Sequence, residues 1–363
     1  EEDIDPYLAY RLIPPGYEMW NEMGIYQRNL TNFEETAILN NTQTDRNCMN
    51  CHSFRMHAPD DMLFHMRSTY GGTYVWTNGV LEKLDGKVSD AIQSLVYPYW
   101  HPSGDYVAFS TNQTKQMFHM KDKNRIEVFD MSSDVLVYDV RNHRVVTDSL
   151  LFSKQAFETF PSFSPDGKTL YFSSSVAQKM PIDYKKVKYN ICSISFDAET
   201  GRFGTQVDTL FSVEQTGKTG TFPRVSPDGK FLAFTEADYG NFTIWHKEAD
   251  LCLIDLKTKE IKSLDALNSL EAESYHAWSS NGRWLVFASR RDDGLYSRPY
   301  IAYIDEEGTA HKAFVVPQAS PDAYLDGLKS YNVPEFITGP VNLQRKAVVE
   351  MAKHGQAKKV TAQ

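Results

Sequence analysis

The chain has 363 residues with a formal net charge of −9, 41% hydrophobic and 13% aromatic residues. That is enough apolar material for a large core, while the acidity argues against sequence-independent nucleic-acid binding. No apolar run reaches the roughly 18 residues of a membrane-spanning helix, and 20 Tyr with 21 Phe favour strands over helices.

From the N-terminus, EEDIDPYLAYR shows no leader and reads as the start of a mature or trimmed product. The stretch 24–39, GIYQRNLTNFEETAIL, has the pattern of two outer strands without an inner one. Residues 1–47 are therefore read as an extension that lends strands to a closing blade. At 46–55 stands RNCMNCHSFR, containing CxxCH at Cys48, Cys51 and His52. This spacing suits two thioether bonds to a haem with the histidine on iron. A Cys48–Cys51 disulfide, two free thiols, or a metal site are the alternatives. A sixth iron ligand is sought in the following MLFHM, where His65 is preferred and Met62 is the next candidate; Met56, His57 and Met66 lie nearby.

An internal repeat decides the architecture. YPYWHPSGDYVAFST (97–111), FPSFSPDGKTLYFSS (160–174), FPRVSPDGKFLAFTE (222–236) and YHAWSSNGRWLVFAS (275–289) begin 63, 62 and 53 residues apart. Each joins an aromatic entry to an Asp-Gly-type tight turn and an alternating apolar strand. Two further strand patterns follow each copy, as in DVLVYDVRNHRVV (134–146). Four strands per such period make one propeller blade, and blades must stack to bury both faces. The segment 51–86 reads as a degenerate blade whose entry has been replaced by CxxCH. SYNVPEFITG (330–339) supplies an inner strand to close the ring. The expected fold is all-β: a single propeller over 48–339, six-bladed with a composite closing blade, or else five-bladed. A short helix is expected at 320–331, and a helical or disordered tail over 340–363.

The repeats, with SRRDDGLYSRPYIAYID (289–305), resemble the TolB-like β-propeller family over roughly residues 50–315. The set RNCMNCHSF, MLFHMR and GGT is similar to a group of Bacteroidetes cell-envelope proteins often labelled as related to cytochrome c biosynthesis. The resemblance implies export to the periplasm or outer membrane, and a protein or peptide partner at the channel face. A redox partner follows if haem c is attached. A monomer is expected.

Other candidates have plain structural readings. His101 and His276 sit at blade entries, where turn hydrogen bonds explain them as well as a channel site. His119, Met117 and Met120 fall in an insertion, 112–133, expected as a long loop or extra hairpin, with packing or copper binding as its roles. Cys192 and Cys252 read as buried thiols or a cross-blade disulfide. Asp292, Asp293 and Arg298 suggest ion pairing, or calcium at the carboxylates. No nucleophile elbow, phosphate loop or HExxH motif occurs. An exported binding or scaffold propeller is thus preferred, with an enzyme acting on a small molecule or glycan in the channel as the alternative.

Overall fold

The computed structural model describes residues 2–14, 22–320 and 322–362. Their strands form six sheets of four or five strands. Blade one is the composite: the C-terminal strand Ser330–Ile337 is innermost and pairs antiparallel with Tyr7–Ile13, followed by Gly24–Asn29 and Glu35–Asn40. The other five begin with the inner strands Met49–Phe54, Val96–Trp100, Ala156–Phe163, Thr219–Val225 and Glu273–Trp278, in chain order as blades two to six. Neighbouring inner strands touch all the way round, including blade six to blade one and blade one to blade two.

The strands form because alternation gives each an apolar face toward each neighbouring blade. In blade two, Met62, Phe64 and Met66 pack with Ala9, Ile25 and Ile38 of blade one. Leu63, one residue out of phase, packs with Trp100 and Val107 of blade three. Comparable apolar clusters fill the other four interfaces.

The repeated Asp-Gly turns explain the serine before them. Gly104, Gly167, Gly229 and Gly282 all have φ between 69° and 80°, a region glycine enters without a Cβ penalty. Ser164 Oγ donates to Asp166 (2.5 Å) and accepts the Thr169 N–H (3.0 Å), and Ser226 repeats the pattern. His101 takes this serine's place, meeting Ser103 Oγ at 2.8 Å and the Gly167 carbonyl of blade four at 3.1 Å. It is a turn residue.

The insertion is a hairpin: strands Tyr106–Phe118 and Ile126–Asp139 pair along their length and project beyond blade three. The tail contains the helix Arg345–His354, and two short strands lie beyond it. After the helix Arg345–His354, Lys358–Lys359 and Thr361–Ala362 add in parallel to the outer strands of blades two and three. Val360 between them is buried against that interface, which fixes the segment. The short helix lies at Ala323–Gly327. Cys192 and Cys252 are buried free thiols in different inter-blade clusters, so they do not pair. Arg298 bridges Asp292 and Asp293 at 2.9 Å each, which occupies both carboxylates.

One buried carboxyl gives a pH signature. Burial pushes Glu158, 2% exposed, up to about 8, with Asp134 acting in the same direction and Ser174 against it. The folded state therefore holds a proton that the unfolded chain releases near 4.5. Its stabilising effect is complete below that value and is lost as pH rises through about 8. Glu158→Gln should flatten the fall in Tm between mildly acidic and mildly alkaline buffer, sparing about 1–3 kcal/mol at the alkaline end.

Candidate functional site

The inner strands share one unusual residue each. Cys51, Tyr97, Phe160, Phe222, Tyr275 and Val333 are all left-handed, with φ between 51° and 54°. The strand register shifts beside each of them. A β-bulge with a non-glycine residue in this conformation costs about 1–3 kcal/mol, so its recurrence in all six blades marks a designed feature. The bulge turns these side chains toward the axis. Tyr97 meets Phe160 at 4.9 Å, Phe160 stacks on Phe222 at 3.8 Å, and Phe222 meets Tyr275 at 5.1 Å between ring centres. Phe242 packs on Tyr97 and Phe160, so aromatic rings fill the channel here.

In four of the blades proline follows this residue, at 98, 161, 223 and 334; in blade two the pair is Cys51–His52, and in blade six Tyr275–His276. The CxxCH motif therefore replaces an aromatic–proline step on the channel wall. Cys48 is buried, Cys51 is half-buried, and both are free thiols. Arg11 approaches Cys48 Sγ at 3.6 Å. Burial pushes the Cys51 thiol up, while the Tyr97 backbone and the guanidinium groups of Arg67 and Arg11 draw it partly back. His52 is 3% exposed, and burial, then the Arg11 charge, hold it down at about 4. The Val333 backbone draws the imidazole partly back up, no side chain among the described residues hydrogen-bonds its ring, and Glu335 Oε2 lies 4.0 Å from Nε2.

The residue types are those that hold a c-type haem: two thiols not joined to each other and an imidazole without a side-chain hydrogen bond, with guanidinium charge beside the thiols.

The two candidates for a sixth ligand are not brought to that set. Met62 is fully buried in the cluster between blades one and two. His65 lies on the other face of the same strand, its Nδ1 meeting Thr73 Oγ1 at 3.2 Å. It lines a polar cleft of about 520 Å³ together with Arg67, Lys87 and Asn112. Residues three apart on a strand point to opposite faces, so His65 and Met62 cannot serve one site.

Sequence reasoning missed a second group. Two residues beyond each bulge, Glu335, Tyr99 and Arg224 come from blades one, three and five. The Arg224 guanidinium lies over the Tyr99 ring at 5.0 Å. Those two strands belong to blades that are not adjacent, so the contact crosses the channel. Arg224 donates to its neighbour's carbonyl, Pro223 O, at 2.8 Å. Glu335 accepts the Phe54 N–H at 3.1 Å, and burial pushes its carboxyl up to about 8. His276, held at about 3 by burial and then by Arg224, completes the surround. The available signal was alignment of the position after the proline, where the four blades that have one carry Tyr99, Ser162, Arg224 and Glu335.

No family model matches this chain, and no curated protein matches it. Solved structures do. Hydrazine synthase of Kuenenia stuttgartiensis aligns at 11% identity and a TM-score of 0.55, over 94% of this chain and 48% of that one. A protein described as putative TolB from Agrobacterium tumefaciens aligns at 14% identity and 0.48, over 87% and 90%. An oligogalacturonate lyase in complex with manganese aligns at 13% and 0.46, over 86% and 75%. At such identities the likeness is one of fold, and the fold is a β-propeller.

Proposed function

We propose that this chain is an exported cell-envelope propeller that binds a partner at its channel face and carries one c-type haem at Cys48, Cys51 and His52. The observation that carries the reading is the substitution of Cys51–His52 for the residue–proline step of the inner strands, with the His52 imidazole making no side-chain hydrogen bond. Bound there, the haem would supply one-electron chemistry. The chain's own part is to attach it through two thiols, to present the His52 imidazole, and to set Arg11 and Arg67 as positive charge beside the thiols.

The test is an absorption spectrum of protein made with a cytochrome c maturation system. A Soret band that survives denaturation is expected, and it should vanish in the Cys48→Ala, Cys51→Ala double variant. His52→Ala should alter the spin state while the covalent link persists. His65→Ala should leave the spectrum unchanged, because its ring is engaged by Thr73 on the opposite face. Correctly exported protein without a Soret band would sink the haem reading.

A second reading is favoured by the channel group. Arg224, held over Tyr99 and facing Glu335, suits a small carboxylate-bearing molecule, since a guanidinium fork pairs with a carboxylate. Binding of small organic acids, lost in Arg224→Gln with the haem spectrum intact, would support a small-molecule role in the channel.

A further inference from the structure

The hairpin of blade three ends in exposed apolar side chains. Phe118 is 71% and Met120 89% exposed, and on the adjoining segment of blade four Val176 and Ile182 are 71% and 70% exposed. The two segments form one surface. Tyr184 Oη meets His119 Nε2 at 3.3 Å, its ring stacks on Phe129 at 5.5 Å, and Lys185 pairs with Asp122 at 2.6 Å. This firm base means the apolar groups protrude from an ordered support.

The charge here opposes that of the whole molecule. Residues 112–130 and 176–189 together hold eight Lys or Arg, and their acidic residues outside the core are Asp122 and Asp183. Glu127 and Asp130 are buried in hydrogen bonds beneath. Blade five adds Asp238 and Glu248, both on Lys123. The cations still outnumber these acids two to one in a chain of net charge −9.

We infer that this surface docks on an anionic phospholipid membrane, with Phe118 and Met120 entering the headgroup boundary and the surrounding lysines facing lipid phosphates. Protruding single apolar side chains flanked by lysines suit an interfacial mode of binding. Phe118 and Met120 stand as separate exposed side chains rather than one clustered patch, which suits a lipid boundary better than the packed centre of a protein interface.

Flotation with vesicles tests this on the full chain. Vesicles of phosphatidylcholine containing one third phosphatidylglycerol should carry the protein, and pure phosphatidylcholine vesicles should not. Raising salt should release it. Phe118→Ser with Met120→Ser should weaken retention by roughly tenfold or more, and Lys115→Glu with Lys121→Glu by a similar factor. These positions are exposed, so Tm should stay unchanged; Phe33→Ser, exposed on a turn of blade one, should bind as the wild type does. Failure of the wild type to float with anionic vesicles would overturn the inference, and so would tip variants that float equally well. Capture of an acidic soluble protein by a tip that ignores anionic vesicles would replace the membrane with that partner. The haem spectrum is read separately, so neither result decides the other.

Discussion

A chain ending before Ser330 should show no cooperative thermal unfolding and should expose apolar surface to a reporter dye. The strand Ser330–Ile337 is the inner wall of blade one, and without it Tyr7–Ile13 loses a whole ladder of hydrogen bonds. Phe336 and Ile337, both fully buried, belong to the clusters that join blade one to blades six and two. Deleting the strand therefore opens two interfaces of the ring. It also removes Glu335 and leaves the Phe54 N–H without its acceptor. Each large side chain lost from such a core is worth about 2–5 kcal/mol, against a net stability of roughly 5–15 kcal/mol for a typical domain. Circular dichroism and a thermal melt would check this. A truncated chain that melts as sharply as the full one would show that the blades hold together without closure.

His246→Ala should destabilise the protein by about 3–5 kcal/mol. His246 is fully buried and its Nε2 lies 3.0 Å from Glu127 Oε1, while the Tyr239 hydroxyl donates to Glu127 Oε2 at 2.7 Å. Glu127 is itself 1% exposed on the projecting hairpin. Removing the imidazole leaves the Glu127 carboxyl group buried with one partner, Tyr239, and a void beside it. The contrast with Glu127→Leu, His246→Leu should be instructive. Replacing both partners by apolar groups avoids the stranded polar group, so the double change should cost less than His246→Ala alone. Denaturant melts of the two variants measure it. The reverse order would mean that packing around the imidazole, rather than its pairing with Glu127, fixes the hairpin on blade five.

The inner strands show how far the residues could be read unaided. An aromatic entry (followed by proline in three copies), an Asp-Gly-type turn and the apolar alternation recur in four full copies, because every blade must solve the same turn and packing problem. Cys51–His52 could be aligned with that entry, and VPEF with the missing inner strand, on local pattern alone. The conflict between His65 and Met62 was also present in the sequence, since strand parity puts residues three apart on opposite faces.

The sequence by itself thus determined the blades, their turns and the place of CxxCH within one of them, for these depend on residues close together in the chain. Only the tertiary structure decided that Arg224 would lie over Tyr99, that Glu335 would face His52, and that the hairpin would seat Glu127 against His246. Those partners are separated by more than a hundred residues, and they meet because closing the ring brings the blades round one axis. Local periodicity records which way a side chain faces along its own strand; it holds no record of what faces it from across a channel.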